Sequence, residues 1–294
     1  MNRKADSGLF YSELIRLSRR VGGSHETLSS REKTLRQFTD FLQDKGIRLQ
    51  DPGTIKLKHV KQWIDLQKSE GISVRTLQNR LSHLRGVCEL GGCKWLNDPH
   101  ASNELLIGSK ASRGGTKRAI SDQVFRILIE KADQISPGLG AILRLERHLG
   151  LRSMEALRSP SSLKSWANQI KYGRPLEVIF GTKGGKKRSV DVPDAGQAFN
   201  AIRRAMNVLR QNEGRWFENA SDLKSAERIM RKMAREAGLS GAQSMHSLRY
   251  AFARERFERY QTEGMSQKEA LAATSMDLGH GDGRGRYIEY VYLR

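Results

Sequence analysis

Gln243-Ser244-Met245-His246-Ser247-Leu248-Arg249 contains the pattern His-x-x-Arg, and further on Asp277-Leu278-Gly279-His280 precedes a tail holding Tyr287, Tyr290 and Tyr292. Two histidines, an arginine and a terminal cluster of tyrosines suit attack on a phosphodiester. A tyrosine hydroxyl can act as the nucleophile, while cations hold the developing phosphate charge. The rest of the chain can be asked whether it serves such a site.

The charge balance agrees with a polyanionic substrate. The 294 residues carry 52 Lys+Arg against 32 Asp+Glu, a net of +20. Residues 1–118 hold 22 basic and 12 acidic residues, and residues 119–294 hold 30 and 20, so each part contributes +10. The excess is therefore spread over the chain and is not a basic tail on a neutral enzyme, as expected where both parts contact DNA. No apolar run approaches the roughly 20 residues of a membrane span, and no apolar signal-peptide core follows the N-terminus. Cys88 and Cys93 form a lone pair without a matching second pair. They are expected to be reduced packing thiols of a cytoplasmic protein and not a zinc site.

Taken in order, residues 1–27 are a basic lead-in with a short apolar stripe, Leu9, Phe10, Leu14, Ile15 and Leu17. They read either as an arm that folds on DNA or as a helix packed on the next domain. Residues 28–92 read as a small helical domain of three helices. The first is capped by Ser29 or Ser30 and carries Leu35, Phe38, Phe41 and Leu42. The second spans Leu57 to Glu70, and the third opens at Ser73. The third helix presents Arg75, Asn79 and Arg80 on a polar face suited to phosphates in a major groove. Residues 93–118, with Asp98-Pro99, several Ser and Gly, and Lys110, Arg113, Lys117 and Arg118, read as a flexible basic linker.

Residues 119–294 open with a helix capped by Ser121. A second helix, from Leu139 to about Leu149, ends at Gly150-Leu151-Arg152, where Arg152 begins a new helical stretch and suits an anion site. The period then changes. Leu176–Phe180 and Arg188–Pro193 read as the strands of a hairpin with Lys183 at its tip and Lys186, Lys187 and Arg188 beside it. A lysine on such a tip can protonate a leaving oxygen. Residues 195–240 read as basic helices, and Ser266 with Glu269 matches a capping box.

Gly-Leu-Arg152, the Lys183 hairpin, His246-x-x-Arg249, Leu-Gly-His280 and a terminal tyrosine, in this order, resemble the tyrosine recombinases, also called phage-type integrases. The resemblance covers about residues 28–294. The Gly-His-Gly-Asp-Gly-Arg-Gly-Arg run at 279–286 is similar to the branch carried on bacterial mobile elements. The resemblance implies a mainly α fold with a small β-hairpin, built as a two-domain C-shaped DNA clamp with a tyrosine-recombinase catalytic core. Residues 28–92 would be the core-binding (SAM-like) DNA-binding domain and residues 119–294 the catalytic domain.

By match to the family's motifs, Arg152 and Arg249 would bind the non-bridging phosphate oxygens and Lys183 would be the general acid. His246 would bond the phosphate or take the nucleophile's proton, and His280 would position the phosphate. The family places its tyrosine nine residues after this histidine, where the chain has Glu289. Tyr292, which follows Val291, is the first choice of nucleophile, Tyr290 the second, and Tyr287 is expected to pack.

The implied DNA-binding set is Arg75, Asn79, Arg80, Arg113, Lys117, Arg118, Lys186, Lys187 and Arg188. The implied reaction is site-specific cutting and rejoining through a 3′-phosphotyrosine, to integrate or excise a mobile element, with neither metal nor ATP nor another cofactor. The implied partners are double-stranded DNA and further copies of the chain, as a dimer on a site and a tetramer in synapsis. The scheme leaves room for accessory DNA-bending proteins, includes no membrane, and places the protein at the bacterial nucleoid. The competing expectations are an integrase-like DNA-binding regulator without catalysis and a strand-swivelling type IB topoisomerase.

Overall fold

In the computed structural model, which describes residues 3–108 and 114–293, the chain forms two compact units, Met1–Ser112 and Arg113–Arg294. The fold is mainly helical, with one two-stranded sheet among the described residues.

The first unit holds α1 (Arg3–Val21), α2 (His25–Asp44), α3 (Leu57–Ser69), α4 (Val74–Leu90) and α5 (Asn103–Ile107). The choice left open for residues 1–27 resolves toward packing within this unit. Phe10, Leu14 and Leu17, at helical spacing, are buried in the same core as Leu35, Phe38, Trp63 and Leu84. Burying three such side chains is worth on the order of 5–8 kcal/mol relative to exposure, which holds a helix down. Buried Arg31 of α2 reinforces the join by donating to the carbonyls of Ser18 (2.8 Å) and Gly22 (3.1 Å) at the end of α1. The cap of α2 is Ser24, not Ser29 or Ser30, so the helix starts earlier than expected. Ser73 caps α4 as anticipated.

The expected linker is shorter than its composition suggested. Cys93, Trp95, Ala101, Leu106 and Ile107 are buried in the first unit's core, carried by two 3-10 turns and α5. These anchors are interleaved with Asn97, Asp98, Pro99, Ser102 and Asn103 at no regular period, so the composition read as a linker. Both cysteines are free and buried, and the Cys93 thiol donates to the Pro52 carbonyl at 3.0 Å.

The second unit contains α6 (Asp122–Ile135), α7 (Pro137–Leu149), α8 (Ser153–Leu157), α9 (Leu163–Lys171), β1 (Leu176–Val178), β2 (Arg188–Val190), α10 (Ala195–Gln211), α11 (Leu223–Glu236), α12 (His246–Thr262), α13 (Gln267–Asp277) and α14 (Gly285–Tyr292). Helix α7 is its centre, buried along nearly its whole length against α6, α10 and α12. Ser121 caps α6, and Ser266 with Glu269 forms a capping box on α13. Strands β1 and β2 pair antiparallel, with Leu176 opposite Val190 and Val178 opposite Arg188. Each strand is three residues long, shorter than expected, because Ile179 and Phe180 turn out toward solvent. No helix among the described residues is long and apolar enough to cross a membrane.

Candidate active site

The site is built where α7 stops. Gly150 adopts a left-handed conformation (φ +60°), and a Cβ there would run into the Phe252 ring, so glycine alone fits the turn. The chain reverses through buried Leu151, and Arg152 becomes the N-cap of α8. Its backbone N–H donates to Glu155 Oε2 (2.8 Å), and its guanidinium donates to Glu155 Oε1 (2.7 Å) and to the Leu278 carbonyl (3.1 Å). Arg249, in the first turn of α12, is 1% exposed and donates to the carbonyls of Gly150 and Leu278. Its Nε–H finds no acceptor among the described residues. The two arginines therefore share the Leu278 carbonyl, which fixes their spacing.

Glu155 is the counter-ion of the whole cluster. It bonds Arg152 and Arg188 at 2.7 Å each and lies 3.9 Å from Arg249. Burial pushes its carboxyl up, but the three guanidinium groups outweigh burial and hold it at about 2. Arg249 is lowered to about 10, first by burial and then by Arg188. Arg188 balances Glu155 from the buried side, so Arg152 and Arg249 keep their positive charge in a low-dielectric site, an arrangement that favours a bound anionic oxygen group.

The histidines and Tyr292 complete the constellation. After α13 the chain turns at Leu278-Gly279-His280, with the His280 N–H donating to the Ser275 carbonyl at 2.9 Å. Asp277 anchors this turn from inside: it accepts from Arg256 Nε (3.0 Å), the Tyr260 hydroxyl (2.9 Å) and the Asp191 N–H (3.1 Å). Gly281 and Gly283, both at positive φ, lead into α14. There Ile288, Val291 and Tyr292 share the buried face, and Tyr292 is 2% exposed. His280 Nε2 lies 3.1 Å from the Tyr292 hydroxyl oxygen. The His246 ring centroid is 6.0 Å from that of Tyr292, and the Tyr250 ring, 5.4 Å from His246, packs 4.5 Å from Tyr292. Loss of hydration, then the charges of Arg249 and Arg152, lower His246 to about 4 and His280 to about 3. Both rings are therefore neutral at pH 7, and His280 can accept the Tyr292 proton through Nε2.

The structure thus brings together Arg152, His246, Arg249, His280 and Tyr292. Tyr290 is half-buried on another face of α14, and Tyr287 lies with its ring 4.9 Å from His280. Lys183 opens the 3-10 turn at the hairpin's end. That hairpin presses on α8 at its root, since a Cβ at Gly181 would meet the Met154 carbonyl and Glu155 Cα.

Of the residues expected to face DNA, Lys186 and Lys187 are exposed, as are Arg75, Asn79 and Arg118. Lys117 is half-buried, donates to the Gly241 carbonyl (2.6 Å), and places charge near His246. Arg113 lies outside the described residues. Arg80 is half-buried and donates to Gln67 of α3, bracing two helices of the first unit. One expectation needs correction. Arg188 is 7% exposed and bonded internally, because it pairs with Val178 on the core-facing side of the hairpin. Sequence reasoning also missed Glu155, Asp277 and Tyr250. The Arg-x-x-Glu spacing of Arg152 and Glu155 was a usable signal for the first.

Comparison with known proteins bears on the fold and the family. The family model described as "Integrase" matches residues 108–255, and that described as "Phage integrase, N-terminal" matches residues 9–96. No curated protein sequence matches significantly. Among solved structures, the chain is similar to XerH site-specific recombinase bound to difH (TM-score 0.61, 15% identity, 95% of this chain and 82% of that one). It is also similar to the Tn1549 transposon integrase bound to transposon right end DNA (TM-score 0.59, 14% identity, 97% and 94%). A third match is the lambda integrase tetramer bound to a Holliday junction (TM-score 0.58, 18% identity, 94% and 75%). With its two matched regions and its fold, the chain belongs to the phage integrase family of tyrosine recombinases.

Proposed function

We propose that this protein is a site-specific recombinase that cleaves and rejoins DNA through a 3′-phosphotyrosine, serving the integration or excision of a mobile element. The observation that carries this reading is the Tyr292 hydroxyl, hydrogen-bonded to neutral His280 beside the Arg152–Arg249 pair. Arg152 and Arg249 hold the non-bridging oxygens of the scissile phosphate. Tyr292 Oη attacks phosphorus as its proton passes to His280 Nε2, and the bond to the 5′-oxygen breaks. Lys183 protonates that leaving oxygen. His246, open to solvent on one side, hydrogen-bonds the phosphate; proton acceptance falls to His280 because His280 is the ring in contact with Oη. The ester keeps the energy of the broken bond, so a new 5′-hydroxyl can religate by the reverse path. Each phosphate-holding arginine is expected to be worth on the order of 10²–10³ in rate.

Double-stranded DNA is the proposed partner, gripped by both basic units, with dimers on a site and tetramers in synapsis. The lambda integrase relatives were solved as a dimer and a tetramer on DNA.

The test is covalent selection from a pool of nicked duplexes with a randomised segment, in which a cleaved strand cannot religate. Denaturation-resistant adducts should form, map to Tyr292, vanish in Tyr292→Phe and persist in Tyr290→Phe. Retention of DNA without any adduct would leave a DNA-binding regulator instead. Adduct that persists in Tyr292→Phe and disappears in Tyr290→Phe would transfer the nucleophile to Tyr290. Strand transfer to a second duplex separates recombination from strand swivelling.

A further inference from the structure

Arg188 has no part in the chemistry above, yet it joins every part of it. Its Nη2 donates to Glu155 Oε2 at 2.7 Å and to the Gly150 carbonyl at 3.1 Å, and its Nη1 donates to the Asp277 carbonyl. Glu155 holds Arg152, the Gly150 carbonyl also receives Arg249, and Asp277 adjoins the Leu278 carbonyl shared by both arginines. The aliphatic stem of Arg188 lies under Gly279, where a Cβ would come within 2.5 Å of Cδ. Backbone and side chain of one residue thus tie β2, and with it the hairpin ending in the Lys183 turn, to three separate segments.

We infer that Arg188 is a positioning residue for strand cleavage: it locks the hairpin that carries Lys183 to the turns that carry Arg152, Arg249 and His280. The inference rests on the reading of Lys183 as general acid. It requires that loss of Arg188 misplace the hairpin turn before it disturbs DNA binding, because the residue is buried and offers DNA nothing. A displacement of about 1 Å in such a group can cost on the order of 10²-fold in rate.

A scissile strand with sulfur in place of the 5′-bridging oxygen separates these effects, since a thiolate leaves without needing a proton. Single-turnover cleavage and DNA affinity are measured on a duplex obtained by the covalent selection, in oxygen and 5′-thio forms. Arg188→Met should bind within about threefold of the parent and cleave the oxygen strand roughly 10–10²-fold more slowly. It should regain most of that loss on the sulfur strand. Where Arg188→Met fails a thermal-melting check, Arg188→Lys, which keeps a cation against Glu155, takes its place. Equal slowing on both strands, or loss of affinity in step with rate, overturns the inference. Lys183→Ala is the control. If sulfur rescues Lys183→Ala but not the Arg188 variants, the inference fails and the general-acid reading stands. If sulfur does not rescue Lys183→Ala, that reading falls and the inference falls with it.

Discussion

Replacing Gly279 by alanine tests the packing beneath the Leu-Gly-His turn. Gly279 sits at φ +64°, which costs an L-residue roughly 1–2 kcal/mol. Its new Cβ would also lie 2.5 Å from Arg188 Cδ, and Arg188 is held by Glu155, Gly150 and Asp277, so the stem cannot swing aside. Overpacking of this kind costs about 1–3 kcal/mol. The two effects sum to about 2–5 kcal/mol, or a fall of roughly 4–20 °C in the melting of a unit this size. Gly281→Ala is the matched control: its φ is +85°, but no atom lies within 4 Å of its Cβ position. Only the backbone cost remains there, roughly 1–2 kcal/mol. The assay is thermal unfolding of the full chain, followed by fluorescence of Trp166 and Trp216, both in the second unit. Equal shifts for the two variants would refute the claim that Arg188 is rigidly held under the turn.

Three further outcomes are expected. His246 and His280 titrate near 4 and 3 instead of the ordinary 6.5, so the unfolded chain takes up protons first on acidification. Stability of the second unit should therefore fall as pH drops from about 6.5 toward 4, and kcat/KM for cleavage, which reports the DNA-free enzyme, should show no histidine step between about pH 5 and 8; a step near 6.5 would contradict the site's electrostatics. Glu146 is 1% exposed, with one carboxyl oxygen lacking a partner, and burial raises it to about 8. Its contribution is fully present below its unfolded value near 4.5 and is lost as pH rises toward 8, so Glu146→Gln should stabilise the protein by about 1–3 kcal/mol at pH 7 in denaturant titration and not at pH 4. Lys186→Ala and Lys187→Ala should each weaken DNA binding and reduce the salt slope of log K by about 1, measured by fluorescence anisotropy from low to moderate salt, whereas Arg188→Met should leave that slope unchanged.

Much of the fold was legible because its signals are local. Ser73, Ser121 and the Ser266–Glu269 pair cap the helices they were expected to cap, and Gly150 stops α7 where a side chain cannot follow. The convergence of Arg152, His246, Arg249 and His280 came from motif order, since no spacing rule brings residues from three segments together. Arg188 was misplaced because a basic run was read as one surface. Strand alternation held the correction: residues 176, 178, 188 and 190 face one side, and three of those are apolar. The tyrosine choice likewise had a periodic clue in Ile288, Val291 and Tyr292, a helical stripe that Tyr290 does not join. The apolar residues of 93–108 fall at no single helical or strand period, and the order of this stretch depends on long-range contacts such as Cys93 with Pro52.

Under the proposed mechanism, the depth at which Tyr292 sits would bear on the fidelity of the reaction more than on its speed. A phosphotyrosine ester is exposed to two competing acceptors, water and a strand's 5′-hydroxyl. With 2% of Tyr292 accessible, its ring covered by Tyr250 and its hydroxyl occupied by His280, an ester formed there is screened from bulk solvent. Under the proposed mechanism hydrolysis would leave the strand broken, so the packing of one short helix, α14, would set how long a severed strand can wait for its partner. On this account α14 acts as a timekeeper, and loosening its buried stripe would shorten the wait before it slowed the cut.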